Sequence, residues 1–263
     1  MMTCTAPTPK LSIESIGLQF GGLTAISDMT FHVGEREVVS LIGPNGAGKT
    51  TAFNIITGFL RPTRGSVSFC GKPLNGLKPH QVADLGLVRT FQRTNLFDRV
   101  TVLDNVLIGL HRRTHTGFLS ALLASAGYRR SEKALVEQAL DILELVGIAQ
   151  HANVLARSLP YGDQRLLGVA LALAANPSAL LLDEPVSGMN ASETARFVVL
   201  LQKLRAQGTT ILLVEHDMPM VMKVSDRIVV LNYGKIIADG PPSAIQRDPD
   251  VIEAYLGKGI KHA

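Results

Sequence analysis

Eight residues, Gly43-Pro44-Asn45-Gly46-Ala47-Gly48-Lys49-Thr50, limit what this chain can fold into more than any others. They fit the spacing G-x-x-x-x-G-K-[ST], which carries meaning only between a strand and a helix. Both flanks are present. Val38-Val39-Ser40-Leu41-Ile42 is a short β-branched run suited to a strand buried on both faces. Thr51 to Leu60 has helical composition and is stopped near Gly58 and Pro62. In that setting glycines let backbone N–H groups converge on phosphate oxygens, and the helix N-terminus adds partial positive charge. Lys49 then reaches the β- and γ-phosphates, and the Thr50 hydroxyl becomes a ligand for Mg²⁺.

The rest of the chain reads as an α/β fold. Gly65 to Cys70 alternates like a strand and closes at the turn Gly71-Lys72-Pro73. Ala179-Leu180-Leu181-Leu182 and Thr210 to Val214 are two further buried strands, with a helical stretch from Ala191 to Arg205 between them. Strand, helix, strand at these spacings implies right-handed crossovers and a mostly parallel sheet. Arg227 to Leu231, the turn Asn232-Tyr233-Gly234 and Lys235 to Ala238 form a terminal hairpin. The middle differs: after Val106-Leu107-Ile108 no convincing strand follows, and helical periodicity dominates. Its best helix takes Ser131 as N-cap and Gly147 as C′, with Leu135, Ala139, Ile142, Leu143 and Val146 on one face. This is a helical subdomain inserted into the sheet domain.

Composition closes off several alternatives. With 263 residues, 46% hydrophobic and 18% charged, the chain is neither disordered nor fibrous. Cys4 and Cys70 are too few for a disulfide framework or a four-ligand zinc site and read as reduced thiols. Thirteen aromatics without a tryptophan, 9 Phe and 4 Tyr, argue against single-strand nucleic-acid binding by stacking. The start has neither the basic nor the apolar region of a signal peptide. The longest apolar tract, Leu166 to Leu182, is broken at Asn176-Pro177-Ser178, so a cytoplasmic protein is expected.

Leu180-Leu181-Leu182-Asp183-Glu184 supplies acids at the C-terminal end of a parallel strand, where they land beside the phosphate loop. Asp183 suits Mg²⁺ held through water, and Glu184 suits a general base for the attacking water.

With these residues in place, the chain resembles an ATP-binding-cassette ATPase subunit from about Leu11 to Gly257. The resemblance implies a P-loop NTPase (RecA-like) fold: a mostly parallel core, an antiparallel β region and an inserted helical subdomain. The implied core covers about 8–92 and 172–245, the helical subdomain about 93–171, and a short extension about 246–263. Gln92, after Arg89-Thr90-Phe91, matches the Q-loop glutamine that contacts Mg²⁺ and senses the membrane subunits. Leu159-Pro160-Tyr161-Gly162-Asp163-Gln164-Arg165 stands at the signature position, so Gly162, Asp163 and Gln164 are implied nucleotide contacts. Ser187-Gly188-Met189-Asn190 matches the D-loop, His216 the switch histidine, and Phe20 the aromatic stacked on adenine. The phosphate loop, Thr51 included, is implied to bind ATP.

Two residues depart from the family pattern: Pro160 replaces a signature serine, and Asn190 replaces a frequent aspartate. Proline removes a hydroxyl and a backbone donor, which leaves two outcomes open: unequal ATP sites in a mixed dimer whose partner carries the serine, or a neutral change in which the Gly162 amide and the helix dipole suffice. Phe20-Gly21-Gly22-Leu23-Thr24-Ala25, Glu215-His216-Asp217-Met218 and Asp250 to Gly257 resemble the branched-chain amino acid importer group, as does Leu110-His111-Arg112-Arg113 onward. That group implies a second ATPase subunit, the same or different, two permeases and an external binding protein. It places the chain peripherally at the cytoplasmic face of the inner membrane. A urea or amide importer, a lipid exporter and a soluble cassette ATPase remain as alternatives. The net charge of +4 is compatible with polyanions, but no nucleic-acid partner is implied. The stretch Leu110 to Arg130, with Arg112, Arg113, Arg129 and Arg130 and no acid, suits either an anionic or permease surface or a solvated helical arm.

Overall fold

A computed structural model describes residues 9–90, 96–111 and 126–256. The chain divides into two compact units. A sheet unit takes in the chain up to Arg89, Ser178–Glu184 and everything from Leu201; a helical unit takes in Thr90–Pro177 and Pro185–Leu200. In chain order the strands are β1 (Leu11–Phe20), β2 (Leu23–Val33), β3 (Val38–Ile42), β4 (Arg64–Phe69), β5 (Lys72–Pro73), β6 (Leu87–Arg89), β7 (Ala179–Asp183), β8 (Thr210–Val214), β9 (Arg227–Asn232) and β10 (Lys235–Gly240). The helices are α1 (Lys49–Ile56), α2 (Pro79–Asp84), α3 (Val102–His111), α4 (Ala126–Val146), α5 (Tyr161–Ala174), α6 (Ala191–Ala206), α7 (Met218–Val224), α8 (Pro242–Ile245) and α9 (Pro249–Leu256).

Among the described residues the strands form one sheet in the order β5-β4-β1-β2-β10-β9-β3-β8-β7-β6. From β9 through β3, β8 and β7 to β6 every pairing is parallel. The pairings of β1 with β2, β1 with β4 and β9 with β10 are antiparallel, as the sequence predicts for a mixed sheet. All five residues of β3, β7 and β8 are buried, because a central parallel strand is covered on both faces. The period of two then sorts their side chains. Val39 and Leu41 join a large core with Phe53, Ile56, Leu181, Leu212 and Val229. Ile42 falls in a second cluster with Val221, Ile228, Val230, Ile245 and Val251. Since β3, β8 and β7 run parallel side by side, the loops that follow them emerge at one edge of the sheet.

In the helical unit, α3, α4 and α5 pack pairwise. Two expectations need correction here. Val106-Leu107-Ile108 is helical, inside α3, because Val102, Val106 and Leu110 recur every four residues and are all buried. Helix α4 begins at Ala126, five residues before the proposed Ser131 cap, and it ends as expected, with Gly147 at φ 80. Cys4, Arg112, Arg113, the side chains of Arg129 and Arg130, and Gly257 lie outside the described residues.

Strand β1 is irregular: its register against β4 shifts between Glu14 and Gly17, around Ser15 at φ 46. Gly65 faces this bulge at φ 82, and a Cβ there would collide with the carbonyl oxygens of Glu14 and Ser15. Gly71 has a similar φ of 74 but open space around it. Gly65→Ala should therefore cost about 1–3 kcal/mol or more, and clearly exceed Gly71→Ala, in denaturant unfolding. Equal losses would contradict the close approach.

Candidate active site

The phosphate loop is shaped by crowding. Gly43, at φ 151, follows the buried end of β3, and a Cβ there would collide with the Leu231 carbonyl oxygen of β9. The loop then turns through Ala47 N–H to Pro44 C=O (3.1 Å), and Gly234 N–H binds Ala47 C=O (2.9 Å) from the β9–β10 turn. Gly48 precedes α1 and brings no capping side chain, which leaves the first-turn amides of α1 to an anion. Asn45, Gly46 and Thr50 are exposed, Gly48, Lys49 and Thr51 are half-buried, and Ala47 is buried. The Lys49 ammonium rests on the loop's own carbonyls, donating to Gly43 (2.6 Å) and Pro44 (3.0 Å). Burial pulls its pKa below the usual 10.5, while the Glu184 and Asp183 carboxylates oppose that shift.

The acidic partners stand at the end of β7. Asp183, with 8% of its side chain exposed, is ion-paired to Arg89 at the end of β6 (2.6 Å). The same guanidinium donates to Asn54 on α1 (2.7 Å) and to Thr57 at its C-cap (3.3 Å), and lies 5.5 Å from the Phe53 ring centre. Arg89 thus ties β6, β7 and α1 around one carboxylate. Sequence reasoning saw it only as a neighbour of Gln92, and a pair 94 residues apart leaves no local signal. Glu184 adopts φ 46 while its N–H binds Val214 C=O (2.8 Å). A non-glycine residue in this region costs about 1–3 kcal/mol and is characteristic of functional sites.

After β8, the chain presents His216 on a rigid turn. The buried Glu215 carboxylate accepts from the amides of His216 (2.9 Å) and Asp217 (3.4 Å). Asp217 caps α7 by accepting from Met220 N–H (2.9 Å). His216 Nδ1 stands 3.9 Å from Glu184 Oε2 and 3.8 Å from Glu215 Oε2. The sheet unit therefore brings together Lys49, Asp183, Glu184 and His216, with Thr50 at the start of α1. The Thr50 hydroxyl and Asp183 carboxylate are an oxygen-only donor set, which fits Mg²⁺ completed by water and phosphate. Among the described residues no group of three or more His, Cys, Asp or Glu could hold a metal by itself.

The remaining sequence-predicted residues sit elsewhere. Phe20 is half exposed at the end of β1. Gln92 lies outside the described residues. The signature and D-loop residues belong to the helical unit. Pro160 is the N-cap of α5. Gly162 is buried, and a Cβ on it would meet Glu193 at 2.5 Å. The buried Asp163 carboxylate is paired with Arg196 (3.2 Å) and His151 (3.3 Å). Gln164 donates to Leu159 C=O (3.0 Å). Asn190 accepts from the amides of Ser192 and Glu193 (both 3.0 Å) while its own N–H binds Glu193 Oε2 (2.9 Å), a capping box for α6. Tyr161 donates to Ser187 C=O (3.1 Å), joining the two loops of this unit.

A glycine loop opening onto a helix, with acids at the end of a neighbouring parallel strand, defines a P-loop nucleotide-binding α/β protein. A profile described as ABC transporter matches residues 26–187, and one described as branched-chain amino acid ATP-binding cassette transporter matches 235–261. The high-affinity branched-chain amino acid transport ATP-binding protein LivG of Salmonella typhimurium is 46% identical over 95% of this chain and 98% of its own length. BraF of Pseudomonas aeruginosa, with the same description, is 45% identical over the same shares. The solved ADP conformation of an ATP-binding cassette of an ABC transporter superposes with TM-score 0.83 at 32% identity, covering 95% of this chain and all of that one. The chain belongs to the ABC transporter family, as an ATP-binding and ATP-hydrolysing subunit. Among the described residues no helix is long and apolar enough to cross a membrane.

Two predictions follow from these contacts. Arg89→Met strands Asp183 as a buried charge and should destabilise the nucleotide-free protein by about 3–5 kcal/mol, whereas Arg89→Met with Asp183→Asn should recover much of that loss. A double variant no more stable than the single in urea unfolding would contradict the pairing. The second concerns pH. A bound triphosphate favours the charged lysine and raises the lowered pKa of Lys49 again. ATP affinity should be flat while Lys49 is charged in the free protein, then fall about tenfold per pH unit as the pH rises towards 10.5. Lys49→Arg, always charged, should lack that alkaline decline in calorimetric titrations.

Proposed function

We propose that this chain powers an importer for branched-chain amino acids, working at the cytoplasmic face of the membrane. Its partners in this reading are a second ATPase subunit, two permeases and, indirectly, an external binding protein. The observation that carries the reading is the branched-chain cassette match at 235–261, together with relatives of that description aligned over nearly their full length. A dimeric ATP-binding cassette bound to ADP and Pi, at TM-score 0.74 and 25% identity, supports the dimer.

In the proposed reaction the amides of Gly46, Ala47, Gly48 and Lys49 cradle the phosphates, and Phe20 stacks on adenine. The Lys49 ammonium leaves the carbonyls of Gly43 and Pro44 for the β- and γ-phosphates. Mg²⁺, held by Thr50 and Gln92 and through water by Asp183, would neutralise charge on the phosphate oxygens. Glu184 accepts the proton of the water that attacks the γ-phosphorus as the bond to ADP breaks. His216, held 3.9 Å from Glu184 by the Glu215 turn, steadies the γ-phosphate and orients that water. Gly162 and the N-terminus of α5 face the nucleotide of the second subunit, with Pro160 supplying no hydroxyl there. Asp163, Gln164 and Asn190 act by fixing the loops that make this surface, consistent with their internal hydrogen bonds.

The test is uptake of labelled leucine, isoleucine and valine by cells lacking the gene and complemented with variants. The wild-type chain should restore uptake. Glu184→Gln should bind ATP yet lose uptake and slow hydrolysis by orders of magnitude, and Lys49→Ala should lose nucleotide affinity as well. Normal branched-chain uptake without the gene, with loss of urea, amide or lipid transport instead, would contradict the substrate assignment.

A further inference from the structure

Three consecutive residues at the start of α5 each meet the chain segment that runs from the D-loop into α6. The Tyr161 hydroxyl donates to Ser187 C=O (3.1 Å), and a Cβ on Gly188 would come within 3.0 Å of the Tyr161 ring. Gly162 lies so close to Glu193 Oε1 that a Cβ would come within 2.5 Å of it, and the other oxygen of that carboxylate accepts from Asn190 N–H (2.9 Å). The Asp163 carboxylate pairs with Arg196 (3.2 Å).

Of these links, the one through Tyr161 joins the loop nearest the chemistry. Ser187 follows Glu184 by only three residues. The phenol oxygen is also committed. Arg165, buried one turn along α5, donates to it through Nε (3.0 Å) and a terminal nitrogen (2.6 Å), and its guanidinium lies 5.1 Å from the ring centre. With two donors aimed at that oxygen, its own proton is left for the Ser187 carbonyl. Gly188, at φ 82, lets the D-loop backbone turn against the ring where a side chain would be in the way. We propose that Tyr161 is a positioning residue that couples the signature to the D-loop. The surface that meets the second subunit's nucleotide and the loop that continues from this chain's own Glu184 then respond together. Closure on the partner's ATP is thereby felt at the base serving this chain's ATP, without Tyr161 touching either nucleotide. The inference rests on the reading of this chain as one cassette of a dimer with Glu184 as its base.

The experiment uses the assembled transporter, with the isolated chain alongside. Tyr161→Phe keeps the ring against Gly188 and removes the hydroxyl. Its kcat for ATP in the transporter should fall about three- to tenfold, with KM little changed. The isolated variant should bind MgADP with wild-type affinity in calorimetry and unfold at a similar temperature. Hydrogen exchange read by mass spectrometry should quicken in a peptide spanning Ser187–Asn190 and not in the phosphate loop. Wild-type kcat, or a matching loss of MgADP affinity in the isolated chain, would overturn the inference. Native mass spectrometry of the transporter counts its ATPase subunits, and Glu184→Gln is measured in the same complex. A single ATPase subunit, or wild-type turnover in Glu184→Gln, would refute the underlying reading and the inference with it. With two subunits and only Glu184→Gln slow, the role of Tyr161 alone fails.

Discussion

At Gly43 the backbone of β3 passes so close to the Leu231 carbonyl that no side chain fits between them. This approach fixes where the central strand gives way to the phosphate loop, and much of the site follows from it. Gly43 C=O receives the Lys49 ammonium, Lys49 begins α1, and α1 with its C-cap supplies Asn54 and Thr57 to Arg89. Arg89 in turn holds Asp183. A contact between two neighbouring parallel strands therefore sets the geometry of groups that come from β3, β6 and β7.

The acids of the chain differ in what they are given. Asp183, Asp163 and Glu215 are all buried, and each is engaged: by Arg89, by Arg196 and His151, and by backbone amides. Such partners fix each carboxylate in place, since a buried charge left alone is costly. Glu184 differs in its exposure and its backbone. About a quarter of its side chain is exposed, its backbone is held at φ 46, and the more exposed His216 stands across from it. That combination of strain, partial exposure and a nearby titratable partner suits a group that must meet water and exchange a proton.

Much of the fold was legible because its strongest signals are local. The glycine loop, the apolar runs at Val38–Ile42, Ala179–Asp183 and Thr210–Val214, and the hairpin at Asn232 each announce themselves within a few residues. Strands β1 and β2 did not, because the bulges around Ser15 and Leu18 interrupt the alternation that marks a strand. The triplet Val106-Leu107-Ile108 has strand composition, but burial every fourth residue makes it helical. In the site, the residues of contiguous motifs were found from sequence, whereas the pairing of Arg89 with Asp183 joins chain segments far apart. Asn190 shows the other limit: a D-loop match identified the position, and only the structure shows its side chain capping α6.

The central claim is that the phosphate groups, gripped by the loop after β3, supply most of the binding energy for nucleotide. Calorimetric titration of the purified chain with ATP, ADP and AMP in the presence of Mg²⁺ tests it most directly. The account predicts tight binding of ATP and ADP and a loss of at least about a hundredfold for AMP, which offers Lys49 no β-phosphate. Comparable affinity for AMP and ATP would contradict it.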